Sequence, residues 1–171
     1  REMGEDGVLK NERGERLVVE LTFADSSTLM TNVCSILRQE ALKCGVDLRL
    51  DPLTYNVCSR KVFEKRYQAA LWAWPLQTPF PRLYETFASE LAYDARGNPV
   101  GNTNNIFAVA DTELDAALDA ERNAPDGAAL KKALHRAQKR IHELCVWIPG
   151  WREPDTYVAC WRWIRWPESP T

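Results

Sequence analysis

The chain is 171 residues long, 45% apolar and 27% charged, which suits a single globular domain with a hydrophobic core and excludes an intrinsically disordered chain. Its 22 basic and 24 acidic residues leave a net charge of −2, so the basic excess of a nucleic-acid module is missing. No apolar run reaches the length of a membrane-spanning helix, and Arg1-Glu2-Met3-Gly4-Glu5-Asp6 lacks the basic-then-apolar order of a signal peptide.

Residues 1–16 are polar, with Asn11-Glu12-Arg13-Gly14-Glu15 as a turn. The β-rich run Leu17-Val18-Val19-Glu20-Leu21-Thr22-Phe23 predicts a strand. Asp25-Ser26-Ser27 supplies helix N-cap candidates, and Val33, Ile36, Leu37, Ala41 and Cys44 then recur at helical spacing up to a stop at Gly45. A second strand follows at 46–50, so the chain opens with a strand–helix–strand unit of the kind that makes a parallel pair.

A helix is expected over about 55–65, then a third strand over 67–74 whose continuous apolar character implies cover on both faces. Pro75, Pro79 and Pro81 interrupt regular structure before a short helical stretch over 83–89. A polar loop fills 92–105, and Thr112-Glu113-Leu114-Asp115 reads as a capping box. After Asn123-Ala124-Pro125-Asp126-Gly127, a longer helix carries Leu130, Leu134, Ala137, Ile141 and Leu144 on one stripe. Two further β-prone segments, 146–151 and 156–163, close the sequence. The order implies an α/β fold with a mixed, mostly parallel sheet flanked by helices. Such sheets bind ligands beyond the carboxyl ends of their strands, which directs attention to the exit from the third strand, Trp74 to Arg82.

Catalytic signals are weak. His135 and His142, the only histidines, are about 10 Å apart along one helix, among lysines and arginines, and read as a solvated basic face. Asp111, Asp115 and Asp119 recur every four residues, a pattern that an acidic first turn and an exposed face explain. No G-x-S-x-G, H-E-x-x-H or phosphate-loop motif occurs. The five cysteines form no C-x-x-C pair; Cys34 and Cys44 are about 15 Å apart on one helix, too far for a disulfide, and the set reads as small buried apolar side chains. These observations argue for no enzyme, no metal site and no cofactor.

The seven tryptophans are the stronger feature. Trp72, Trp147 and Trp161 read as core residues, whereas Trp74, where a strand meets a proline-rich loop, is a candidate ligand contact. Arg162 and Arg165, interleaved with tryptophans, suit aromatic cover or carboxylate pairing better than nucleic-acid stacking.

The opening Asp6-Gly7-Val8-Leu9-Lys10-Asn11-Glu12-Arg13-Gly14-Glu15-Arg16-Leu17 resembles a segment of family 5 extracellular solute-binding proteins, the oligopeptide-, dipeptide- and nickel-binding components of ABC importers. The resemblance continues through 37–48 and resumes at 67–74, at Asp111-Thr112-Glu113-Leu114-Asp115 and at Ile148-Pro149-Gly150-Trp151. It implies that residues 1–171 are a single α/β lobe, the C-terminal lobe of a longer two-lobed protein. In that family an acidic residue shortly after the tryptophan matching Trp74 pairs with a peptide's amino group; the position here is Gln77, which accepts a hydrogen bond but brings no charge. Trp74-Pro75 and Trp161-Arg162-Trp163 are similar to the subgroup linked to microcin C and larger peptides.

The expected ligand-binding set is Trp74, Gln77, Thr78, Arg82, Asn102, Asn104 and Asn105: an aromatic wall, neutral polar groups and one guanidinium for a carboxylate. The implied partners are an oligopeptide or small-solute ligand, an ABC-transporter permease and the missing N-terminal lobe of the same protein, with no nucleic acid. The implied location is periplasmic or extracellular, at the membrane through the transporter. The alternative is a ligand sensor or docking module of the same fold that does not transport.

Overall fold

The computed structural model describes residues 2–73, 83–151 and 161–163. Three parallel strands form its central sheet: β3 (Val18–Ala24), β4 (Asp47–Leu53) and β5 (Ala69–Leu71), in the order β4-β3-β5. In register, Leu21 lies opposite Leu50 on one side and Ala69 on the other. Helix α1 (Thr28–Lys43) connects β3 to β4, and α2 (Tyr55–Phe63) connects β4 to β5. The expected parallel strand–helix–strand unit is therefore present, with a second one following it.

Strand alternation divides the core. Leu21, Phe23, Leu48, Leu50, Ala69 and Leu71 pack with Met30 and Cys34 of α1. Ala24, Leu53, Ala70 and Trp72 pack with Cys58, Val62 and Phe63 of α2, so the two helices cover opposite faces. On the α2 face, Thr22 is fully buried and donates its hydroxyl hydrogen to Asp51 at 3.0 Å, while Lys61 bridges Asp51 and Glu20 at 2.7 and 2.6 Å.

Beyond residue 82, α3 (Leu83–Phe87), a single 3-10 turn (Ser89–Leu91), α4 (Thr112–Arg122) and α5 (Gly127–Leu144) form a second core around Phe87, Leu114, Leu118, Ala137 and Ile141. On α5 the fully inward positions are Ala133, Ala137 and Ile141; Leu130, Leu134 and Leu144 are half-buried along its margins.

Several expectations need correction. The polar start folds into a small antiparallel hairpin, β1 (Glu2–Met3) with β2 (Leu9–Lys10), that buries Val8 completely. The cap of α4 is Asp111 rather than Thr112: its Oδ1 accepts from the Leu114 N–H at 2.8 Å, while Asp115 accepts from the Ser89 N–H instead. Residues 146–151 are not a strand; Cys145 takes a left-handed φ of 52° at the end of α5, and Trp147 then packs on Phe87 and Phe107. Helix α2 stops at Phe63 because Lys65 turns left-handed, with φ 58°. Trp161 is no core residue; it is 69% exposed and stacks on Trp163 at 5.0 Å. Cys34 and Cys58 are buried as expected, but Cys44 and Cys145 are exposed. The rest of the segment over 156–163, and Cys160, lie outside the described residues.

Candidate functional site

In a parallel sheet every strand ends at the same edge, so the residues that follow the three strands meet there whatever their separation in sequence. Strand β3 exits through Asp25-Ser26-Ser27, β4 through Thr54-Tyr55 and β5 through Trp72-Ala73. The Asp25 N–H donates to the Leu53 carbonyl at 3.0 Å, which keeps the first two exits side by side. Ser27 and Thr54 occupy the N-cap positions of α1 and α2 with extended backbone, and neither side chain makes the capping hydrogen bond. Both helices thus turn the positive ends of their dipoles toward this edge.

Tyr55, the first residue of α2, lies across the end of the sheet on Trp72. The ring centroids are 5.9 Å apart and the planes differ by 17°. Trp72 also makes an edge-to-face contact with Phe63, at 6.1 Å and 89°. The strand-exit rule points to residues 74–82, just beyond this edge; Tyr55 reads in the sequence only as a helix start, because its stack on Trp72 depends on which strands are neighbours.

Of the expected ligand residues, Trp74, Gln77, Thr78 and Arg82 lie outside the described residues. The chain leaves the described part at Ala73, on the carboxyl edge, and re-enters it at Leu83, the start of α3.

The three asparagines are elsewhere. Helix α2 runs from the carboxyl end of β4 back to the amino end of β5, and its nine residues span about 13 Å. The Asn102 N–H donates to the carbonyl of Phe63, at the far end of that helix, at 3.1 Å. Lys65 fixes the same loop by donating to the Val100 carbonyl and to the Thr103 hydroxyl, and burial lowers the pKa of its ammonium. Asn102, at φ 58°, and Asn104 are exposed on this loop, toward the amino edge of the sheet. Asn105 is fully buried: its amide donates to the Ala88 and Val109 carbonyls at 2.9 and 3.0 Å and its Oδ1 accepts from the Val109 N–H at 3.2 Å. That side chain holds the loop to the second core.

The remaining chemistry is structural. Burial raises the thiol pKa of Cys58 and of Cys34. His135 and His142 are exposed on α5. Among the described residues, no three of His, Cys, Asp and Glu are grouped to hold a metal ion, and no helix is long and apolar enough to cross a membrane.

No protein-family model matches the chain, and no curated protein matches it in sequence. Its fold, in contrast, recurs in solved structures. The oligopeptide-binding protein AppA of Bacillus subtilis, in complex with a nonapeptide, superposes over 84% of this chain with a TM-score of 0.69 at 16% identity. The periplasmic oligopeptide-binding protein of Thermotoga maritima, in a mannohexaose-bound structure, covers 87% with a TM-score of 0.74 at 14% identity. NikZ of Campylobacter jejuni, bound to a nickel–histidine complex, covers 83% with a TM-score of 0.65 at 22% identity. The chain spans only 27%, 28% and 27% of those three chains respectively, so it corresponds to about a quarter of each. The architecture is that of part of a periplasmic-binding-protein fold, with a parallel sheet flanked by helices.

Proposed function

We propose that the chain is the C-terminal lobe of a two-lobed solute-binding protein. It would capture oligopeptides or similar solutes by closing over the carboxyl edge of the β4-β3-β5 sheet and deliver them to an ABC permease. The observation that carries this reading is the gathering of Thr54, Tyr55, Trp72 and Ala73 at one sheet edge, directly before Trp74, in a fold shared with AppA and the Thermotoga maritima protein. An aromatic wall with neutral polar groups suits retention and release, and the reading includes no catalytic step.

Trp74 forms the wall in this proposal. Gln77 and Thr78 hydrogen-bond the ligand backbone, and Arg82 takes a carboxylate. Asn102 and Asn104 sit at the other end of α2 and Asn105 serves the loop, so the proposed contact set is the first four. Gln77 offers no charge to an ammonium, which favours ligands held by side chains and backbone over ligands held by a free amino terminus. Trp74-Pro75 and Trp161-Arg162-Trp163 support the microcin C and larger-peptide branch. The protein would work in the periplasm or outside the cell, at the membrane through its permease.

The test is calorimetry of the full-length protein against peptides of graded length. Saturable binding that is lost in Trp74→Ala and weakened in Gln77→Ala is expected. Binding of sugars or metal chelates with no heat from any peptide would overturn the peptide assignment, and binding of no solute would overturn capture itself.

A further inference from the structure

We propose that the Tyr55–Trp72 stack is a shelf that receives an aromatic side chain of the ligand, an inference that rests on the peptide reading above. Trp72 is the inner ring. It follows β5, points to the α2 face, and is held there by Phe63 edge-on and by the apolar cluster around Cys58 and Val62. Tyr55 is the outer ring; it is 58% exposed although its plane is set by the stack beneath it. A ring whose orientation is already fixed loses little freedom on receiving a partner.

The location is as informative as the geometry. Strands β4 and β5 are separated by β3, so the backbones that carry Tyr55 and Trp72 are about 10 Å apart. Ala24, the last residue of β3, belongs to the same cluster and is small enough to let the two side chains meet above it. The shelf thus spans the end of the central strand and stands two residues before Trp74. Its surroundings carry little charge. Residues 53–57 and 69–73 contain no Asp, Glu, Lys or Arg, leaving Asp25 as the single charged residue of the three exits. A neutral ring is the complementary group, because aromatic pairs gain from offset stacking beyond the area they bury. The uncommitted N-cap hydroxyl of Thr54, adjacent in sequence, can bond the ligand backbone as the ring settles.

The experiment compares two peptides, Ala-Phe-Ala and Ala-Ala-Ala, on the full-length protein and its Tyr55→Ala and Tyr55→Phe variants. The wild type should bind Ala-Phe-Ala roughly three- to ten-fold more tightly. Tyr55→Ala should erase that preference by weakening Ala-Phe-Ala more than Ala-Ala-Ala, and Tyr55→Phe, which keeps the ring stacked on Trp72, should retain it. Equal affinity of the wild type for the two peptides, or a Tyr55→Ala variant that weakens both by the same factor, would overturn the shelf while leaving peptide capture intact. Binding of neither peptide by the wild type would overturn the shelf as a tripeptide subsite, and failure of the longer peptides of the calorimetry series as well would overturn the peptide reading with it.

Discussion

The guanidinium of Arg140 meets the carboxylate of Asp111 side by side, Nε donating to Oδ1 at 2.9 Å and Nη2 to Oδ2 at 2.7 Å. Asp111 also caps α4, and its N–H donates to the Ser89 hydroxyl at 3.0 Å. One residue therefore joins the 3-10 turn, α4 and α5. The Arg140 hydrogen bonds, helped by the Leu114 N–H, hold the Asp111 carboxyl down at about 2 against an ordinary 3.8. An acid with a folded pKa below its unfolded one stabilises the fold above the unfolded value, and that contribution disappears as pH falls through the folded value. Urea midpoints should therefore drop between about pH 4 and pH 2. Asp111→Asn, which keeps the cap acceptor, should flatten that drop, and Asp111→Ala should cost about 1–2 kcal/mol at neutral pH from the cap alone. An Asp111→Asn curve with the wild-type slope would sink this account.

Glu121 behaves in the opposite sense. One carboxylate oxygen accepts from the Leu83 N–H at 3.4 Å, while the other is buried with no hydrogen-bond partner among the described residues. Burial raises its pKa above the ordinary 4.5. The native state then binds the proton more tightly than the unfolded chain, so stability declines as pH rises from 4.5 through the folded value. Glu121→Gln keeps an acceptor for Leu83 and removes the buried charge. Its melting temperature at pH 7 should exceed the wild type's, and the difference should vanish near pH 4. A lower melting temperature at pH 7 would show that the carboxylate is needed as an anion.

Gly45 ends the α1 connection at φ 82° and carries the hairpin, since its carbonyl accepts from the Leu9 N–H at 2.8 Å. A Cβ there would meet Leu9 Cγ at 2.6 Å. Gly45→Ala should cost about 1–2 kcal/mol from the left-handed backbone alone, plus the collision. Combining it with Leu9→Ala should recover part of the collision and none of the backbone cost, giving a non-additive double-mutant cycle. Strict additivity would mean that Leu9 moves aside freely.

Asn105→Ala would strip three buried backbone groups of their partner, so a loss of about 2–3 kcal/mol in chemical denaturation is expected. Asn102→Gly suits φ 58° and should leave stability unchanged. If Asn105→Ala were neutral, the loop would have a second anchor of equal strength.

The sheet was legible because its signals are local: an apolar run over 17–23, a helical stripe ending at Gly45 and a second run behind it. The two consecutive crossovers then leave few choices of strand order. What escaped depended on contacts far apart in sequence. Asp111 and Thr112 are both good caps, and the decision between them involves Arg140, 29 residues downstream. Asn102, Asn104 and Asn105 look like a ligand cluster in one dimension, but Lys65 and Phe63 fasten their loop at the opposite end of α2 from Tyr55, a helix about 13 Å long. The hairpin has little local signal, since Val8-Leu9 is a lone apolar pair in a polar stretch and it is Gly45, far along the chain, that gives the Leu9 N–H its partner.

The alternation of β5 has a consequence for quality control. Its described ladder is three residues long, and a shift of one position would turn Trp72 from the α2 face to the α1 face. Tyr55 would lose its neighbour, Phe63 its edge contact and the sheet edge its aromatic surface in a single event. A mispaired chain could keep its helices and its circular dichroism while presenting nothing for a ring to rest on. Aromatic near-ultraviolet signal, rather than helix content, is therefore the proper criterion for accepting a refolded preparation.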